Sequence, residues 1–200
     1  ILTAGEIIHN ASLLHDDVLD CAEQRRGSAP FYKIFTPNVA ILTGDYLLSY
    51  ATKNLIEIRN FEVLDIFRKC TQKMSEVEIS QYFLRGKTPS EAEYIEICEG
   101  KTAVLFESIL ESLALVCDLP IDNAHDFGKN FGILFQIKND LEQVSASNDR
   151  QNGVKTACDI FGVEKTRCLI DNYKSELRRG LENIPNNIYK QGLEDLLDKL

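Results

Sequence analysis

The sequence predicts an all-α fold, a single-domain helical bundle, on three observations. Apolar residues recur three and four apart along nearly the whole chain, and sustained period-two alternation is absent. No repeat, linker or low-complexity tract divides the 200 residues, a length that supports one substantial core. A hydrophobic fraction of 44% and a charged fraction of 26% are those of an ordinary globular chain.

The helices follow in order. Ile7, Ile8, Ala11, Leu14 and Val18 mark one face of the first. A second begins near Asn38, with Ile41, Leu42, Tyr46, Leu47 and Ala51 as its stripe. Asn60 caps a third, which carries Val63, Leu64, Phe67, Met74 and Val77 and stops around Gly86–Pro89. Ser90 with Glu93 forms a capping box for a helix running through Tyr94, Ile97, Leu105, Ile109 and Leu113 to Pro120, with Gly100 as its weak point. An apolar segment from Phe127 to Leu141 follows, then a polar, aperiodic loop from Ser145 to Gly153. Helical patterns resume over Val163–Leu181 and Tyr189–Leu200.

With 22 Lys and Arg against 31 Asp and Glu, the net charge of −9 argues against a nucleic-acid partner. The longest apolar runs, such as Ala114 to Cys117, are far too short for a transmembrane segment. The six cysteines (Cys21, Cys70, Cys98, Cys117, Cys158 and Cys168) make no CxxC and lie far in sequence from the histidines. Free, mostly buried thiols and a cytoplasmic location are the expectation.

The chemistry starts at His15-Asp16-Asp17-Val18-Leu19-Asp20. Asp16 and Asp20 stand four apart, so they share a helix face near the negative end of its dipole. Like charges so placed need a cation, and carboxylates at this spacing suit Mg2+, which leaves coordination positions to water and phosphate. Arg25 and Arg26 follow at once, and guanidinium forks bind the same kind of anion.

These residues resemble the first aspartate-rich motif of the trans-type polyprenyl diphosphate synthases. Further matches come in the family's order. Ala40 to Leu48 resembles the next helix, Glu78 and Gln81 fit a GExxQ-like segment with Val77 in place of Gly, and Lys101-Thr102-Ala103-Val104-Leu105-Phe106 matches KTAxLF. Phe135-Gln136-Ile137-Lys138-Asn139-Asp140 stands where the second aspartate-rich motif belongs. The resemblance spans about residues 1 to 160.

It implies an isoprenoid-synthase-type bundle with a deep central cavity, one catalytic domain over 1–200. The implied reaction is head-to-tail condensation of isopentenyl diphosphate with an allylic diphosphate primer, dependent on Mg2+. Asp16, Asp20 and, in support, Asp17 would ligate the metal, with Asp140 on the far side. Arg25 would hold the allylic diphosphate, Arg26 the isopentenyl diphosphate, and Lys101, Thr102 and Gln136 the allylic diphosphate again. Lys101, Asp16 and Arg25 would carry catalysis. Lys155, in Val154-Lys155-Thr156 where the family has GKxT, would be a further phosphate contact. The family also implies a homodimer, and a hydrophobic product implies transient membrane proximity at release.

The second motif departs from the family's DDxxD. Asn139 and Gln143 bring neutral carbonyl oxygens where carboxylates are expected, which lowers metal affinity on that side. A non-catalytic or regulatory subunit of a heteromeric synthase therefore stays open beside the active enzyme. A class I terpene cyclase fits less well, because its second metal motif fails at Gln143 and Ser147. Gly86-Lys87-Thr88 lacks the upstream glycine and strand of a phosphate-binding loop, and Arg178 with Arg179 reads as a solvated helix face.

Product length is a steric matter. The growing tail is expected to run from Asp16 past Ala11, whose methyl leaves the path open, towards a floor at Ile8, Leu47 and Tyr50. That expectation gives a medium-to-long product of about the octaprenyl class, with a farnesyl or geranylgeranyl product as the alternative. Relatives carry helices upstream of the first motif, including a GGKRxRP-like segment that binds isopentenyl diphosphate. Nothing here matches it, so the chain is expected to lack its N-terminal helices.

Overall fold

The computed structural model describes residues 1–142, 153–182 and 184–200, and among these every regular element is helical. We number the helices α1 (Leu2–Leu19), α2 (Phe31–Ile34), α3 (Pro37–Glu57), α4 (Phe61–Leu84), α5 (Glu91–Cys98), α6 (Val104–Val116), α7 (Ile121–Glu142), α8 (Ala157–Phe161), α9 (Val163–Leu181) and α10 (Ile188–Lys199). A π-helical turn, Glu99–Ala103, joins α5 to α6. The weak point expected at Gly100 is this turn, so the predicted continuous helix changes its winding where Lys101 and Thr102 sit. The expected loop lies, all but Gly153, outside the described residues, as do Gln143 and Ser147.

Local signals set most boundaries. Asn60 Oδ1 accepts from the Glu62 and Val63 amides, and Ser90 and Glu93 close a reciprocal capping box. Thr36 caps α3 with Pro37 at its first position. The short helices α2 and α8 carry too few residues to show a period in the sequence.

Two apolar cores flank the middle of the bundle. Ala4, Ile8, Ala51, Leu55, Val63, Phe67, Cys70 and Leu105 join α1, α3, α4 and α6. Tyr94, Cys98, Ala103, Ile133, Leu134, Ile137, Ile170, Leu177 and Leu197 join α5, α7, α9 and α10. Gly132 makes the second core possible beside the π turn. A Cβ there would stand 2.3 Å from Ala103 Cα, so α7 lies directly on the turn that carries Lys101.

Of the predicted α3 stripe only Ala51 is buried, Leu47 is half-buried, and Ile41, Leu42 and Tyr46 face outward. Ala40, Gly44, Ala51 and Leu55 are the buried residues of α3, while Leu42 and Tyr46 are each 66% exposed. α3 meets α1 through small residues, and its bulky apolar side chains are left outside. All six cysteines are free, but only Cys70 and Cys98 are buried; Cys21, Cys117 and Cys168 are exposed. No described helix is long and apolar enough to cross a membrane.

Candidate active site

Between the cores lies a cavity of about 1310 Å³, walled by α1, the π turn, α6 and α7, with Met74 from α4. Its mouth holds Asp16, Asp20, Arg25, Arg26, Lys101, Thr102, Gln136, Asn139 and Asp140. Leu13, Leu105, Phe106, Ile109 and Phe135 supply apolar wall deeper in. Eight of the residues expected from the sequence thus meet around one space, although they come from positions 16 to 140.

The wall contributed by α1 follows helix geometry. Ser12, His9 and Gly5 lie four, seven and eleven residues before Asp16, all within about 40° of its direction at about 100° per residue. All three line the cavity. Ala11, five residues before, points about 140° away. Ala11 and Ile8 are buried at 0% and 3% exposure but do not line the cavity, and Ile8 packs with Ala51 and Leu55. On α1 it is Ser12 and His9, not the expected Ala11 and Ile8, that line the cavity below Asp16. Leu47 and Tyr50 are likewise absent from the cavity wall, which reaches Gly5, packed against Ile109, and Leu2 and Thr3 beyond it.

Charge is concentrated at the mouth. Burial pushes the Asp16 carboxyl up to about 6, with Glu78 and Asp20 pushing the same way against the pull of Lys101 and Arg25. Burial disfavours the Lys101 ammonium, but Asp16 and Glu78 outweigh it and hold its pKa above the ordinary lysine value. Lys101 Nζ lies 2.9 Å from Glu78 and donates to Gln81 Oε1 at 2.9 Å. Glu78 and Gln81 on α4 thus aim the lysine at the mouth. Such a crowded carboxylate set is a donor set for a hard cation, so Asp16 and Asp20 fit a divalent metal.

Asp17 does not belong to that set. It is 3% exposed, and its Oδ1 accepts from Arg25 Nε at 2.9 Å and Nη2 at 2.5 Å. Its place on α1 turns it away from the face of Asp16 and Asp20, so its part is to hold Arg25 rather than metal. Arg25 and Ser28 exchange backbone hydrogen bonds around Arg26 (φ 52°) and Gly27 (φ 79°), a tight turn whose two central residues are left-handed. Gly27 takes that conformation without strain, which is why the arginine pair ends in glycine.

On the α7 side Asp140 is the one carboxylate among the described residues that line the cavity. Asp140 Oδ2 accepts from the Tyr94 hydroxyl at 2.7 Å and the Ala157 amide at 2.8 Å, and Oδ1 accepts from Gln136 Nε2 at 2.9 Å. Gln136 in turn accepts from the Thr102 hydroxyl at 2.8 Å. Asp140, expected as a metal ligand, is instead a buried hub joining α5, α7 and α8. Asn139 reaches the cavity without charge. Lys155 is exposed and lines a narrow side pocket rather than the main cavity.

The match to known proteins agrees with this geometry. The family model described as polyprenyl synthetase matches residues 1–196. The chain belongs to the polyprenyl synthetase family. Among curated members, it is 34% identical over 171 residues to a prenyl transferase of Porphyra purpurea, covering 79% of this chain and 53% of that one. It is 32% identical over 149 residues to the octaprenyl diphosphate synthase of Haemophilus influenzae, covering 72% and 45%. The chain spans about half the length of the curated relatives it matches. Among solved structures of this fold, a decaprenyl diphosphate synthase from Rhodobacter capsulatus superposes with a TM-score of 0.91 at 25% identity, over 98% of this chain and 76% of that one. A polyprenyl synthase from Caulobacter crescentus, complexed with calcium and isoprenyl diphosphate, gives 0.84 at 25% identity, over 98% and 75%.

Four site residues escaped the sequence. His9 and Ser12 carry a signal in the sequence, standing seven and four residues before Asp16 and so on its helix face. Tyr94 and Arg85 had no such signal. Arg85 caps α4, and its Nη2 donates to Asp20 Oδ1 at 2.6 Å across 65 residues of chain.

Proposed function

We propose that the chain is the catalytic body of a polyprenyl diphosphate synthase that condenses isopentenyl diphosphate with an allylic diphosphate primer. One observation carries the reading: Asp16, Asp20, Arg25, Arg26 and Lys101 converge on the mouth of a single deep cavity. Mg2+ held by Asp16 and Asp20 would supply charge for the departing diphosphate. Lys101, fixed by Glu78 and Gln81, stabilises the negative charge that grows on that group. Arg25, locked on Asp17, orients the same group, and Arg26 on its turn is placed for the second diphosphate. The phenyl and aliphatic wall keeps water from a reactive allylic cation.

The cavity continues three helical turns below Asp16, to Gly5 and Ile109, which supports a medium-to-long product of about the octaprenyl class. Exposed Phe61, Ile79, Tyr82 and Phe83 on α4 support a homodimer interface. We place the enzyme in the cytoplasm, consistent with six free thiols, with transient membrane contact when the product leaves.

Incubation with labelled isopentenyl diphosphate, an allylic primer and Mg2+ tests the reading. Elongated all-trans product is expected, and no product with any primer overturns it. The committed Asp140 and neutral Asn139 favour one second reading, a non-catalytic subunit. That reading requires elongation only when a second, different chain is added.

A further inference from the structure

α6 and α7 pack as a tight antiparallel hairpin. Its turn is a Schellman motif: Asp118 is left-handed (φ 52°), and the Leu119 amide donates to the Ala114 carbonyl at 2.9 Å. Gly128 then lets the two backbones meet, since a Cβ there would stand 2.6 Å from Glu107 Cα. With Gly132 against Ala103, the register of α7 on α6 is fixed at two points.

That register assembles a cluster of ionisable groups outside the site already described. Glu107 and Glu111 stand four apart on one face of α6, and His125 reaches them from the turn of α7 before Gly128. All three are partly buried, and one donor atom from each lies within 4.8 Å of the other two. None of them lines the main cavity.

The cluster carries more negative charge than its own cation answers. Burial, with Glu111 beside it, pushes the Glu107 pKa up although His125 and Lys129 pull the other way. Lys129 stands 2.9 Å from Glu99 and is committed there. One imidazolium balances a single carboxylate, whereas a divalent ion balances both and takes the imidazole neutral.

Distance separates an ion pair from a metal site. An N–H···O bond is about 2.7–3.2 Å long. Two donors on one tetrahedral zinc ion, each about 2.1 Å from it, stand about 3.4 Å apart. His125 Nδ1 is 3.4 Å from Glu107 Oε1 and 4.0 Å from Glu111 Oε2. The first edge already has the metal-site length, and the soft terminal torsion of Glu111 closes the second.

We propose that Glu107, Glu111 and His125 form a second divalent-metal site, suited to a transition ion such as Zn2+, that clamps α6 to α7. The imidazole sets its chemistry apart from the carboxylates of the mouth, which suit Mg2+. Three protein ligands leave the fourth position to water. Phe106, Ile109 and Phe135 of the cavity wall sit on the same two helices, so the clamp braces that wall from behind.

Zinc titration by calorimetry and thermal melting tests the site, with excess Mg2+ present to occupy the mouth. The expected result is one Zn2+ bound per chain and a thermal midpoint raised by roughly 5–10 °C at a hundredfold excess over Kd. His125→Ala and the isosteric Glu111→Gln should each weaken that binding about tenfold or more and remove the rise. Neither variant disturbs a cavity-lining residue, and Glu111→Gln changes no volume. Equal zinc affinity in the wild-type protein and both variants overturns the site and assigns the zinc to the exposed thiols or the mouth. Absence of any zinc-dependent rise in the wild-type midpoint overturns the clamp. No prenyl substrate enters the measurement, so its outcome is independent of the prenyltransfer reading.

Discussion

The Tyr94 hydroxyl donates to Asp140 across 2.7 Å, in a place where Tyr94 is 4% exposed and Asp140 7%. Burial, with Cys98 and Asp140 beside it, pushes the Tyr94 pKa up, so the phenol stays a donor throughout the working range. The pair ties α5 to α7 behind the cavity mouth, and Asp140 also caps the Ala157 amide at the start of α8.

Tyr94→Phe removes one donor from a buried charged acceptor. A loss of about 1–3 kcal/mol in unfolding free energy is expected from urea titration, with metal binding unchanged. A loss of metal binding without a loss of stability would return Asp140 to the metal.

Lys101→Ala removes the cation that Glu78 and Gln81 aim at the mouth. A fall of roughly 100-fold or more in turnover is expected, with a smaller change in apparent affinity for the primer. Steady-state kinetics on the elongation assay reads both. A change confined to affinity would mean that Lys101 only binds substrate.

Chain length separates two neighbouring positions. Ser12→Phe should block the cavity one turn below Asp16 and shorten the product, as read by chromatography of the dephosphorylated prenols. Ala11→Phe should instead destabilise the fold by about 1–3 kcal/mol through overpacking, because Ala11 is fully buried away from the cavity. Shorter product from Ala11→Phe with normal thermal stability would contradict this placement.

Asp16 links metal binding to protons. A carboxyl raised from 3.8 to about 6 is protonated in the folded protein where the unfolded chain has already lost its proton. Its contribution to stability is therefore present below the ordinary value and is lost as pH rises through about 6. Metal binding to the ionised form should release about half a proton at pH 6 and almost none at pH 8. Calorimetry in buffers of different ionisation enthalpy measures the release; equal release at both pH values would remove Asp16 from the metal site.

Thiol reactivity follows burial. Burial pushes Cys70 up to about 11 and Cys98 up to about 12, so neither forms an appreciable thiolate at pH 8. Cys21, Cys117 and Cys168, all exposed, should react rapidly with a disulfide reagent, and Cys70 and Cys98 only after denaturation. Rapid modification of all six in native buffer would show that the two cores open readily.

Helices were legible because their signals are local: a period of three to four, the Asn60 cap and the Ser90–Glu93 box are written within a few residues of where they act. The site residues were legible through short motifs whose members lie one turn apart. Ile41, Leu42 and Tyr46 of the α3 stripe face outward for a definite reason. Periodicity shows that apolar residues share a face, but Ala40, Gly44 and Ala51 could face inward only because α1 approaches closely enough to be met by small side chains. The same limit applies to Ala11, where nearness in sequence to Asp16 stood in for direction.

The local chemistry was thus set by sequence: an all-α chain, a carboxylate pair one turn apart, an arginine pair on a glycine-ended turn, and a lysine three residues into a π turn. Tertiary structure alone decided what each group faces. Asp17 and Asp140 bear the same charge as Asp16, yet packing gives one to Arg25 and the other to Tyr94 and the Ala157 amide. Arg85 reaches Asp20 across 65 residues because α4 ends beside the end of α1. Long-range electrostatic pairing depends on distance and burial in three dimensions, and no spacing along the chain encodes either.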